Sequence, residues 1–486
     1  MNEERSLDPE NWDEARRALH QALDHCIDHW RDIRTAPVWR ETPPEVKAQL
    51  QTALPAEPQD LAALVTQFRR DILPYGTGNL HPRFFGWVHG AGNLAGALGE
   101  MLAGFMNCNV GGRDHIGVYV ERQVIEWCKA IFAFPATGSG ILTSGTSMGT
   151  VIALDVARNA KAGADVQRLG LAAAPRRLVG YASHEAHSAI AKAFDLLGLG
   201  TEALRLVPAD GEFRLSVEAL AAMIAADRAT GFHPAIVVAS AGTVNTGAID
   251  DLDAIAALCR AEGLWLHVDA AFGGLAVLVP AFRDRLASMR LADSIAFDFH
   301  KWLQVPYDAG GVLVRDAKAH RASFSARREY LAAGRALAGG DPWYCEYGPE
   351  LSRGFRALKI WFTIKAYGSD RLAAVIARNC RQAQHLGAAI AATPALELLA
   401  PVGLNIVCFG FRADGLARGD ADALNADIVA SLQRTGVAAP STTHIGGRTA
   451  IRVCLTNHRT TTEDLDLLVR ETVRLGRARL AERPQA

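Results

Sequence analysis

The feature that most restricts what this chain can fold into is the alternation between residues 140 and 315. Short apolar runs at 140–142, 177–182, 235–240, 264–268, 294–297 and 309–315 are separated by helical patterns at 149–161, 186–197, 217–230 and 252–262. Strand–helix alternation implies a mostly parallel sheet, because each connection has to cross back over one face before the next strand can pair. Helices then cover both faces, and ligands bind beyond the carboxyl ends of the strands. The expected class is α/β.

The flanks differ from this middle. A chain of 486 residues is long enough for two or three domains. Helical spacing over 8–34, with Asp8 before Pro9 as a plausible start, and again over 60–73, predicts a helical arm. Such an arm either reaches across a partner subunit or folds as a solvated hairpin. Asn93 is a candidate cap for a helix over 94–106, and 118–132 is amphipathic. Gly334, Gly339, Gly340 and Pro342 break up 320–354, which predicts a mobile loop and connector. Beyond 370 the pattern reads helix, strand at 404–411, helix at 420–435, strand at 449–455 and helix at 462–480. The expected division is an arm and dimerisation segment at 1–90, a large domain at 91–368 and a smaller α+β domain at 369–486.

Composition excludes several classes. A net charge of −1 gives no electrostatic footprint for nucleic acid or an anionic membrane. The polar N-terminus carries no secretory pattern, and no apolar run reaches the roughly 18 residues a membrane helix needs. Eight scattered cysteines without a Cys-x-x-Cys pair suit a reduced cytoplasm.

Two neighbouring strand ends carry the chemistry. The run 264–271 places Asp269 after an apolar stretch, and 294–302 places His300 and Lys301 before Trp302. An Asp and a Lys so placed can hold pyridoxal phosphate, the amine on its aldehyde and the carboxylate on its ring nitrogen. A structural ion pair is the competing reading. Upstream, residues 138–150 read strand, Gly-rich turn and helix, and Thr146 and Ser147 fall where a helix N-terminus binds phosphate. The same loop, Gly145-Thr-Ser147-Met-Gly149, matches the Gly-x-Ser-x-Gly elbow of serine hydrolases, with Asp269 and His300 or His458 in the required order. His184 and His187 follow another strand. Their spacing can suggest a metal pair, but no third ligand is near, and no metal is expected. One of them can instead stack on a flat cofactor. Thr243 lies in a turn where it can meet a cofactor edge or serve only turn chemistry.

These segments, in this order and spacing, resemble the group II pyridoxal-phosphate-dependent amino-acid decarboxylases, in particular their aromatic-L-amino-acid decarboxylase-like members. The resemblance runs from about His81 into the C-terminal domain. It implies a type I aminotransferase-like fold and a homodimer with active sites at the interface. It also implies pyridoxal 5′-phosphate as cofactor and an L-amino acid, aromatic by kinship, as substrate. Lys301 then matches the Schiff-base lysine, Asp269 the pyridinium partner and His187 the ring-stacking histidine. Thr146 and Ser147 match the phosphate loop, His300 the histidine beside the lysine, and Ala271 a residue beneath the ring. Tyr330 matches the loop tyrosine that returns a proton to Cα.

The chain departs from the family at Trp87-Val-His89-Gly90, where Tyr-Phe-Pro-Thr is usual, and at Arg113-Asp114. Trp87 and His89 are the expected substrate wall. Arg113 can bind a substrate carboxylate, which would favour an acidic amino acid, or pair with Asp114. Oxygen-dependent conversion to an aldehyde is a further alternative. Tyr330 and His187 favour simple decarboxylation over it, because relatives that make aldehydes tend to lack one or the other. A catalytically silent binding protein is disfavoured by the intact Asp, Lys, His and Tyr set.

Overall fold

The structure, a computed structural model, describes residues 6–325, 334, 336–412 and 415–482. Its centre is a seven-stranded sheet with β1 at Ser139–Thr143, β2 at Leu178–Ser183, β3 at Leu204–Val207, β4 at His233–Ser240, β5 at Trp265–Asp269, β6 at Ser294–Asp298 and β7 at Gly310–Val314. Their order is β1-β7-β6-β5-β4-β2-β3. The pairs from β6 through β3 are parallel, as the alternation predicts. β7 is the exception: it runs antiparallel to both neighbours. Only a short loop separates Trp302 from Gly310, too short for a crossover, so the chain returns in the opposite direction. β3 has no counterpart among the predicted strands. Its Leu-Arg-Leu-Val sequence alternates for only four residues at the sheet edge.

β2, β5, β6 and β7 are buried along their whole length, because helices cover both faces. The helix Thr146–Lys161 begins three residues earlier than its pattern suggests, directly after the Gly-rich turn. After β2, residues 184–188 form a turn and the helix waits until Ala189–Leu196.

A second sheet is antiparallel, with β8 at Leu396–Leu398, β9 at Ile406–Phe411, β10 at Ser441–Ile445 and β11 at Arg448–Cys454, in the order β10-β11-β9-β8. β10 was not expected, since Ser-Thr-Thr-His-Ile has little apolar content. Its partner makes it: Gly446 and Gly447, at φ +57° and +72°, form the two-residue turn that a tight hairpin requires. This sheet and the helices Arg418–Arg434 and Thr462–Ala481 enclose a separate apolar core that takes in Phe85 from the N-terminal segment. The helix Arg356–Ala391 links the two parts and is interrupted at Gly368, where φ is +69°.

The arm is helical, but its first helix, Trp12–Arg31, is capped by Asn11 and not by Asp8. Asn11 accepts from the N–H groups of Asp13 and Glu14, whereas among the described residues Asp8 bonds only Ser6. Asn93 caps Leu94–Met106 as expected. Among the described residues no helix is long and apolar enough to cross a membrane.

Candidate active site

The carboxyl ends of β1, β2, β4, β5 and β6 open into one cavity of about 590 Å³. β10 and β11 close it from the small sheet, and Trp87–His89 form a third wall. Lys301, Asp269, Ala271, His187, Thr146, Ser147, Thr243, His300, Trp87 and His89 all line it. Tyr330 lies outside the described residues.

Asp269 ends β5 and is almost fully buried. One carboxylate oxygen accepts the Ala271 N–H at 3.1 Å. Burial pushes its carboxyl above the usual range, against the opposing pull of Lys301 and His187. A buried carboxylate with few donors is suited to a cationic partner such as a protonated ring nitrogen.

Lys301 sits in the single helical turn Phe299–Trp302 after β6. Its ammonium pairs with Asp298 Oδ2 at 3.0 Å. Asp298 has no assigned role in the sequence reading, yet it is the hub of the site. Its other oxygen accepts the Thr146 N–H at 2.7 Å, and His300 Nε2 lies 3.7 Å away. The i, i+3 spacing from Lys301 is the signal that could have found it, since it places both side chains on one face of the turn. The packing there leaves no room: a Cβ at Gly310 would meet Gly145 Cα at 2.5 Å and Asp298 Oδ1 at 2.7 Å.

His187 turns into the cavity with Nδ1 accepting the Ala189 N–H at 3.1 Å. Burial, the larger effect, lowers its affinity for a proton, so the ring is neutral with its proton on Nε2. His300 is likewise depressed by burial, and its Nδ1 accepts the Ala309 N–H. His184 faces away: its Nδ1 accepts from Ala209 N–H, and no cluster of three metal-ligating side chains exists among the described residues.

Thr146 Oγ1 is buried at the first turn of its helix with no hydrogen-bond partner among the described residues. Such an atom is costly unless something bonds it. A phosphate group at the helix N-terminus would do so, which fits the cofactor. Ser147 is exposed beside it. No histidine bonds Ser147 among the described residues. His300 directs one nitrogen to Ala309 and the other toward Asp298, while His458 bonds the Gly92 carbonyl. The serine-hydrolase geometry is therefore missing. Thr243 spends its hydroxyl on Ala248 N–H and Thr246 within the turn.

Arg113 neither pairs with Asp114 nor lines the cavity. Its guanidinium stacks on Trp343 at 4.6 Å, and Asp114 accepts from the Tyr119 hydroxyl. Arg452, which sequence patterning on β11 does not distinguish, does line the cavity. It donates to the carbonyls of Trp87 (2.9 Å), Val244 (2.6 Å) and Asn245 (3.1 Å). Gly90 explains part of the departure at 87–90. Any Cβ there would strike the carbonyl oxygens of His300 and Lys301.

A family model for the pyridoxal-dependent decarboxylase conserved domain matches residues 43–412. The chain belongs to the pyridoxal-dependent decarboxylase family. Among similar proteins are the aromatic-L-amino-acid decarboxylase of Bacillus atrophaeus, 32% identical over 93% of both chains, and the tyrosine decarboxylase of Oryza sativa subsp. japonica. The latter is 33% identical over 82% of this chain and 77% of its own. The crystal structure of Oryza sativa TDC with PLP and tryptamine superposes with a TM-score of 0.89 at 26% identity, over 97% of this chain and 100% of that one. This decarboxylase is thus a pyridoxal-phosphate-dependent carboxy-lyase acting on an amino acid.

Proposed function

We propose that the chain decarboxylates an aromatic L-amino acid to its amine and carbon dioxide. The observation that carries this reading is the convergence of Lys301, Asp269, His187 and the unpartnered Thr146 hydroxyl on one cavity whose outer wall is aromatic. Pyridoxal phosphate, when bound, supplies an aldehyde that bonds amines and a ring that takes up the electron pair left as carbon dioxide departs. Lys301 would supply the amine that holds the cofactor. Asp298 is 3.0 Å from that amine and receives it as an ammonium when it is free. Asp269 holds a proton at the pyridine nitrogen. His187, neutral and fixed by Ala189, stacks on the ring. Thr146 and Ser147 would bind the phosphate, Ala271 would face the ring and His300 would brace the lysine. Thr243 orders its turn and meets the cofactor edge through the cavity wall. Tyr330 returns a proton to Cα.

The aromatic class is favoured over an acidic one by the charges available. Among the described lining residues the cations are Lys301, paired with Asp298, and Arg452, bonded to three carbonyls. Neither is left over for a side-chain carboxylate.

The decisive experiment follows carbon dioxide and amine release from tyrosine, dihydroxyphenylalanine, tryptophan, phenylalanine and glutamate, with wild type and Lys301→Ala. Release from aromatic substrates by wild type alone, with borohydride trapping the cofactor at position 301, is expected. Full activity in Lys301→Ala would refute the assignment. Stoichiometric peroxide would point instead to the aldehyde-forming reaction.

The working form is a homodimer with the active sites at its interface. The support is an exposed apolar face on the arm and on Leu94–Met106, including Trp12, Leu98, Met101 and Phe105. Eight unpaired cysteines suit a reducing, cytoplasmic location.

A further inference from the structure

Outward from Lys301 the cavity wall is a file of rings. His300 packs on Tyr307 with centroids 4.4 Å apart, and Tyr307 meets His89 edge-on at 5.8 Å. His89 lies 5.7 Å from both Phe84 and Trp87, the latter more than half exposed at the mouth. The polar ends of the inner rings are engaged. His300 Nδ1 accepts the Ala309 N–H, and the Tyr307 hydroxyl faces the Gly90 backbone. His89 differs. Half-buried and facing the cavity, its imidazole makes no hydrogen bond or ion pair with any described residue. Burial, reinforced by His300 and Lys301, keeps that ring neutral. A neutral imidazole offers one N–H donor and one acceptor, the complement of a phenolic hydroxyl. The surrounding ring faces suit the aromatic ring that would carry it.

We infer that His89 is a specificity-determining residue that hydrogen-bonds a ring hydroxyl, so that phenolic and catecholic amino acids are preferred over phenylalanine. This rests on the aromatic reading above. The preference arises twice over: the phenol keeps a partner on leaving water, and the imidazole is not left unpaired behind it.

The test compares kcat/KM for tyrosine and phenylalanine in the holoenzyme. Wild type should favour tyrosine by roughly tenfold to a hundredfold. His89→Leu should bring the ratio close to one, and His89→Gln, which keeps a donor and an acceptor, should restore part of it. In parallel, calorimetry measures binding of tyramine and phenethylamine to the same proteins. The same difference in affinity should appear in wild type and vanish in His89→Leu. A wild-type ratio near one, or a ratio unmoved by His89→Leu, overturns the inference while leaving aromatic decarboxylation intact. If no aromatic amino acid releases carbon dioxide, the broader reading fails, and the amine affinities alone decide the role of His89: equal binding in wild type overturns it.

Discussion

Asp269 and Asp298 sit at the ends of adjacent strands, yet they face opposite problems. Asp298 has an ammonium and a backbone N–H to satisfy its oxygens, whereas Asp269 has one N–H and is pushed toward the neutral form by burial. An acid whose folded-state pKa is raised costs stability as pH rises through the window above its unfolded value, and that cost persists at neutral pH. Asp269→Asn should therefore raise the melting temperature of the cofactor-free protein at pH 7 while leaving it unchanged in strong acid. Turnover of the loaded enzyme should drop by roughly 10²–10³-fold, the scale expected for a lost electrostatic partner. Paired thermal melts and rate assays check this; a variant that is both less stable and fully active would contradict it. Asp269 and Lys301 were legible in the sequence because each ends an apolar run. Asp298 is marked only by its i, i+3 spacing from Lys301, which carries meaning once the helical turn after β6 is known. Arg452 was hidden for a different reason. Its three acceptors lie more than 200 residues away in sequence, and they are backbone groups that carry no sequence signal.

Between elements, one buried pair ties the polar loop before Ile116–Ile131 to the edge of the large sheet. Arg353 and Glu121 are fully buried and doubly bonded, and Arg353 also donates to the carbonyls of Val110 and Leu142. Removing one partner strands the other charge. Glu121→Gln should cost about 3–5 kcal/mol in a urea titration, while Glu121→Leu with Arg353→Met should cost clearly less than either single change. Equal or additive losses would show that the pair is not acting as a unit. The alternation between 140 and 315 placed most strands correctly, since period and length distinguish a buried strand from a helix. It could not show that β7 reverses direction, because strand polarity is decided by the length of the connection. Nor could it find β10, whose residues become a strand only through the Gly446-Gly447 turn and a partner.

Across the whole molecule, four histidines share a dependence on pH. Burial depresses His81, His320 and His458 to about 4 and His267 to about 3. The unfolded chain takes up protons there below about pH 6.5 while the folded one does not, so stability present at neutral pH is lost as pH falls toward 4. Urea midpoints of the cofactor-free protein should decline from pH 7 to pH 5; a flat profile would mean that these rings are protonated in the fold. The apolar face around Phe105 belongs to the same scale. Phe105 is 70% exposed, so Phe105→Asp should leave the single chain folded yet convert the proposed dimer to monomer in sedimentation velocity. An unchanged dimer would place the interface elsewhere.

The grip of Arg452 on the Trp87 carbonyl and the 244–245 turn separates two kinds of evolutionary freedom. The floor of the cavity hangs on strand ends of the large sheet, while its rim is held from the small one by Arg452 together with Ser441 and Thr443. Drift in the small sheet can therefore reshape which side chain is admitted without disturbing the groups proposed to break the bond.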